Sequence, residues 1–174
     1  IGANAGPDDV YLALRGLRTI GIRMRQHDKN GRKLAEWLEG RAEVERVLHP
    51  GLSTNPSFEI WKRDFTGACG LFGVVLKSYP EKAIAAMLDG LELYGMGASW
   101  GGYESLILLT NPAQIRTVTK NQWENGGPTL RIHAGLEDID DLIADLEQAL
   151  DRLPGNVSTD KPSEEVPVAS MIEQ

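Results

Sequence analysis

A single cysteine, Cys69, stands in 174 residues, so no disulfide can form within the chain. That fits a reducing compartment, and a cytoplasmic location is expected. No apolar run is long enough to span a bilayer, which leaves no membrane partner. The three histidines, His27, His49 and His133, are too scattered to suggest a metal site, and Cys69 has no ligand beside it. Basic residues are outnumbered, 18 Lys and Arg against 25 Asp and Glu. The resulting net charge of -7 argues against nucleic acid as the main partner, because phosphate binding needs a basic surface. The start at Ile1 lacks the basic and apolar stretches of a secretion signal, and the chain is expected to begin within a longer protein.

What remains is globular: 41% hydrophobic and 25% charged residues, enough for one domain with a short unstructured end. The charge is uneven. Residues 1–33 hold seven Arg or Lys against three Asp, while the remainder carries -11. A solvated helix paired with acidic neighbours is the favoured reading, and a binding surface the other.

Pro7-Asp8-Asp9 reads as a helix start, with proline tolerated in the first turn and carboxylates favoured by the helix dipole. Val10, Leu14, Leu17, Met24, Leu34 and Leu38 then continue a broken apolar stripe to Gly40. This predicts one long helix over residues 1–40, with Gly16, Gly21 and Gly31 marking a kink or close packing. Strands are expected at Val44–Leu48, Leu71–Leu76, Leu91–Tyr94, Ser105–Leu109 and Leu130–His133, and a short helix at Glu81–Leu88. The stretch up to Phe65 reads as irregular. Asp138 opens the clearest helix, whose Ile139, Leu142, Ile143, Leu146, Leu150 and Leu153 line one face before Pro154-Gly155 stops it. The fold expected is α+β: a two-layer sandwich of a mainly antiparallel four- to five-stranded sheet with helices on one face, preceded by the long helix. Residues 41–153 form its body, and 154–174, rich in Ser, Pro and Glu, a disordered tail.

Chemistry concentrates in two places. In Thr129–His133 side chains alternate, so Leu130 and Ile132 face the helices while Thr129, Arg131 and His133 face the open side. A guanidinium there can take a carboxylate through two parallel hydrogen bonds, although an ordinary salt bridge is the better reading of Arg131 alone. Ser99-Trp100-Gly101-Gly102 sets an indole beside a glycine pair, which suits either a site wall or a loop tryptophan packed on the core. Glu104 and Ser105 read as structural, closing that loop. Lys120 follows hydroxyl residues but sits among Asn121, Gln122 and Glu124, and reads as an exposed surface lysine.

Four segments carry a family resemblance: Tyr11 to Thr19, Trp61 to Gly67, Ser99-Trp100-Gly101-Gly102-Tyr103-Glu104-Ser105, and Arg131 to Ile143. From Pro7 to about Leu153 the chain resembles the pyridoxal-phosphate enzymes of cysteine and methionine metabolism, in its carboxy-terminal domain. Tryptophan in Ser99-Trp100-Gly101-Gly102 favours the β-lyase branch over the γ-synthase and γ-lyase relatives, which typically have leucine there. The resemblance implies β-elimination of cystathionine to homocysteine, pyruvate and ammonia, with pyridoxal 5'-phosphate bound mainly by an upstream domain that also carries the catalytic lysine. It further implies a homotetramer of the whole enzyme. Position by position it makes Arg131 the clamp on the substrate carboxylate, Ser99 and Trp100 the site wall, and Ser99 a neighbour of the cofactor. Ala98 departs from relatives with a larger residue there, which bears on the distal end of the substrate. A non-catalytic module of the same fold is the alternative from another class.

Overall fold

The computed structural model describes residues 2–119, 123 and 126–154. Of the expected tail only Pro154 falls among them, and Lys120 lies outside them. The chain runs α1 (Pro7–Leu17), α2 (Ile20–Glu39), β1 (Val44–Leu48), α3 (Phe58–Asp64), β2 (Leu71–Leu76), α4 (Glu81–Asp89), β3 (Gly95–Met96), β4 (Leu106–Thr110), α5 (Pro112–Ile115), β5 (Thr129–His133) and α6 (Ile139–Leu150). This is a mixed α/β fold with one five-stranded sheet in the order β1-β2-β5-β4-β3. Neighbouring strands pair antiparallel except β3 and β4, which run parallel.

The pleat sorts the side chains. Phe72, Val74, Leu130, Ile132 and Ile107 share one face by register and pack with α2, α4 and α6 into a single core. At about 1.5–3 kcal/mol for each large apolar side chain, this burial supplies the main favourable term in folding. Helix α6 follows the sequence closely: the Asp138 side chain accepts a hydrogen bond from Asp140 N at 2.8 Å, and Leu142, Leu146 and Leu150 are buried.

The single long helix of residues 1–40 is corrected to two. Helix α1 ends where the Arg23 guanidinium takes the Gly16 carbonyl at 2.8 Å and the Thr19 hydroxyl the same oxygen at 3.3 Å, so side chains satisfy a helix end that would otherwise continue. Gly31 has a different cause. A Cβ there would come within 2.7 Å of the Cys69 carbonyl oxygen, so α2 can press on the chain entering β2 only as glycine. The expected strand at Leu91–Tyr94 shifts to Gly95–Met96, because the Asp145 carboxylate accepts from Glu92 N and Leu93 N and removes them from any ladder. The stretch read as irregular contains α3, which buries none of its residues and so left no apolar stripe to detect.

The sheet face expected to be free is partly covered. The Arg46 guanidinium lies 5.3 Å from the Trp123 ring on that side, and Thr129 and His133 are buried. Arg131 alone of the three expected outward residues on β5 stays half-buried.

Candidate active site

Arg131 sits in the middle of β5, opposite Gly73 on β2 and Leu108 on β4. Gly73 lowers the floor beside it, and a Cβ there would meet Leu48 Cδ1 at 3.1 Å. Arg131 Nη2 lies 3.5 Å from the carbonyl oxygens of both Gly97 and Ser99, at the limit of a hydrogen bond. Its Cζ is 5.4 Å from the centre of the Trp100 ring, within cation-π range. The ion pairs among the described residues join Arg32 to Asp28, Lys33 to Asp140, Arg41 to Glu43 and Glu147, and Arg63 to Asp64. None takes Arg131. The ordinary salt bridge that its residue type suggested is therefore not made within the described residues.

Trp100 is 59% exposed, which removes the reading of a loop tryptophan packed on the core. Ser99 is likewise exposed, and its hydroxyl makes no hydrogen bond among the described residues. Gly101 has φ +79°, a left-handed conformation that favours glycine and turns the chain back toward β4. Beyond the turn, Ser105 is fully buried; its N and Oγ donate to the Glu137 carboxylate at 2.7 and 2.8 Å, and its Oγ accepts from Gly135 N at 2.8 Å. Ser105 thus has the structural part that the sequence suggested. Its partner Glu137 was not anticipated.

Two further groups on α2 were also missed. His27 Nδ1 donates to the Ala134 carbonyl at 2.9 Å, and Asn30 Nδ2 donates to the carbonyls of Gly135 and Glu137 at 3.0 and 3.1 Å. They fasten the turn after β5 across more than a hundred residues of sequence, a distance at which no local pattern signals a pairing. His27 also brings its ring to 5.0 Å from that of His133. Burial holds the His133 imidazole below its ordinary value of 6.5, with His27 and Arg131 pushing the same way, while the Gly102 carbonyl and Glu137 oppose them. Two concavities, one along β1 from Val44 to Leu48 and one between Arg32, Trp61 and Lys62, include neither Arg131 nor Trp100. Arg131 and Trp100 therefore lie outside both of these hollows.

A sequence model of the family described as Cys/Met metabolism PLP-dependent enzyme matches residues 1–151. The chain belongs to that family. It is 45% identical over 155 residues to the cystathionine beta-lyase MetC of Escherichia coli K12, covering 88% of this chain and 39% of that protein. It is 42% identical over 155 residues to the L-alanine/L-glutamate racemase of Wolbachia pipientis wMel, covering 88% and 38%. The crystal structure of a cystathionine gamma synthase from Xanthomonas oryzae pv. oryzae, in complex with aminoacrylate and cysteine, superposes with a TM-score of 0.74 at 35% identity. That match covers 87% of this chain and 40% of the other. The chain thus spans about two fifths of the length of these relatives.

The cofactor of the family is pyridoxal phosphate. The described groups fit its neighbourhood in part: a guanidinium for a carboxylate, a hydroxyl and an indole. The hydrogen bonds and ring contacts at Arg131 and Trp100 include no lysine. These residues suit the side of such a site that faces the amino-acid substrate.

Proposed function

We propose that this chain is the carboxy-terminal part of a pyridoxal-phosphate carbon-sulfur lyase that cleaves cystathionine by β-elimination, and that it supplies the clamp for the substrate carboxylate. The observation that carries this reading is Arg131: a guanidinium on an accessible sheet face, beneath an indole, with no carboxylate partner among the described residues. A permanent cation so placed can accept an α-carboxylate through two parallel hydrogen bonds. Pyridoxal phosphate, when bound, supplies the electron sink that makes loss of the Cα proton feasible. Arg131 holds the carboxylate and so fixes the direction of the Cα-H bond. Trp100 excludes water from one side, and the Ser99 hydroxyl offers a donor or acceptor at the edge of the cofactor.

In this reading an upstream domain of the same protein carries the cofactor and the catalytic lysine, and the complete enzyme is a cytoplasmic homotetramer. The exposed apolar side chains of α1, among them Leu14 and Leu17, would pack against that upstream domain. The relatives include a lyase, a synthase and a racemase. Arg131 would serve any of these reactions, because each acts on an amino acid. The β-lyase assignment rests on Trp100, the feature by which the chain resembles that branch, with a γ-synthase or γ-lyase as the alternative.

The test is Arg131→Ala in the full-length protein. Since a misplacement of about 1 Å can cost on the order of a hundredfold, kcat/KM for cystathionine should fall by about that factor or more, with the cofactor absorbance retained. Near-normal kcat/KM would overturn the assignment. Assays with cystathionine, alanine and an activated homoserine ester then separate the three activities.

A further inference from the structure

The loop that carries Ser99 and Trp100 is exposed throughout and poorly tied down. From Ala98 to Gly102, the described polar contacts to the body of the domain are the 3.5 Å contact from Arg131 to Ser99 O and two to one ring nitrogen, of which only one can be a hydrogen bond at a time. That nitrogen is His133 Nε2, which lies 3.1 Å from Gly101 N and 3.2 Å from Gly102 O. We propose that His133 is a positioning residue for the active-site wall: its neutral ring accepts a hydrogen bond from Gly101 N and thereby sets Trp100 over Arg131. The proposal rests on the clamp reading of Arg131 and deepens it.

The strand makes this coupling short. Arg131 and His133 are two residues apart on β5 and so project from the same face of the sheet. One element therefore holds both the clamp and the anchor of the loop above it. The hydrogen on a backbone nitrogen is fixed by the peptide plane, and at Gly101 it is directed at Nε2, so that nitrogen presents its lone pair and the ring carries its proton on Nδ1. On the neighbouring ring, His27 Nδ1 donates to the Ala134 carbonyl. Two buried atoms, His133 Nδ1 and His27 Nε2, have no hydrogen-bond partner among the described residues, on rings whose centres are 5.0 Å apart.

The arrangement is stable only while His133 is neutral. A proton on Nε2 converts the acceptor into a donor, ends the bond from Gly101 N, and leaves the Gly102 carbonyl as the partner within reach. The charged groups facing the ring decide how readily this happens. His27 on α2 and Arg131 on β5 oppose the added charge, Glu137 before α6 favours it, and burial opposes it most. At neutral pH the ring is uncharged and the loop is held; as pH falls through the lowered His133 value the loop moves to its second partner.

The test compares His133→Gln, whose side-chain amide reaches about as far as Nε2, with His133→Met, of similar length and without that acceptor, in the full-length protein labelled with 5-fluorotryptophan. His133→Met should raise KM for cystathionine about tenfold, the scale of one lost hydrogen bond, with kcat within about threefold, and should shift the Trp100 fluorine resonance. His133→Gln should restore both. A Trp100 resonance left in place by His133→Met, or a Gln variant that behaves as the Met variant does, overturns the proposal. Should His133→Met fail to fold, the pH dependence decides, followed from 8 down to the acid limit of the folded enzyme. Wild-type KM should rise and its Trp100 resonance move on the acid side while His133→Gln stays flat; matching profiles overturn the proposal. Failure of the clamp reading shows itself separately, as an unchanged kcat/KM in Arg131→Ala, while the resonance still reports whether His133 places the loop.

Discussion

Helices α1 and α6 were written with similar patterns and met different fates. Each carries acids in its first turn and apolar residues at helical spacing. Helix α6 buries Leu142, Leu146 and Leu150 in the core and is closed by the Asp138 side chain. Helix α1 buries none of its residues and begins at Gly6 with no side-chain cap. Helical periodicity thus shows that a face is apolar, but not what will cover it. In α6 the partner is the rest of this chain, whereas Val10, Leu14 and Leu17 of α1 lie exposed.

Three substitutions sharpen or break that contrast. Leu146→Ala should cost about 2–5 kcal/mol in urea denaturation of the 174-residue chain, because a fully packed leucine leaves a cavity. A loss under about 1 kcal/mol would mean that α6 is not the core element its burial indicates. Asp138→Ala removes the cap and should cost about 1 kcal/mol by the same measurement. Leu14→Ser should cost no more than about 0.5 kcal/mol in this chain, the difference in helix propensity alone. In the full-length protein the same change should cost more, if α1 packs on the upstream domain. Equal costs in both would end that reading.

The sequence was most legible where local pattern and tertiary burial coincide. The bounds of β1 and β2 were read directly, since Val44–Leu48 alternates and Leu71–Leu76 is a continuous apolar run. The break after Leu17 was foreshadowed by Gly16 and Gly21, but its cause, the Arg23 guanidinium on a carbonyl seven residues earlier, depends on the finished turn. At the candidate site, the position of Arg131 on an accessible face could be read from alternation and the turn at Ser99 and Trp100 from glycine content, whereas the exposure of Trp100 emerged only from the structure. The polar framework could not. Glu137, Asn30 and His27 act through bonds to groups about thirty to more than a hundred residues away, and the covering of His133 follows from those bonds rather than from its strand.

The order of the strands also sets a timetable for synthesis. Strand β5 lies between β2 and β4, yet among the described strands it is the last to be made, roughly sixty residues after its partner β2. Until Thr129–His133 leaves the ribosome, β2 and β4 each lack the neighbour that takes up one row of their backbone hydrogen bonds, and such open edges invite pairing with other chains. Because Arg131 and His133 both ride on β5, the candidate site comes into being in the same event that seals the sheet. A nascent chain therefore cannot present Arg131 and His133 on a strand before both neighbours of that strand have been made.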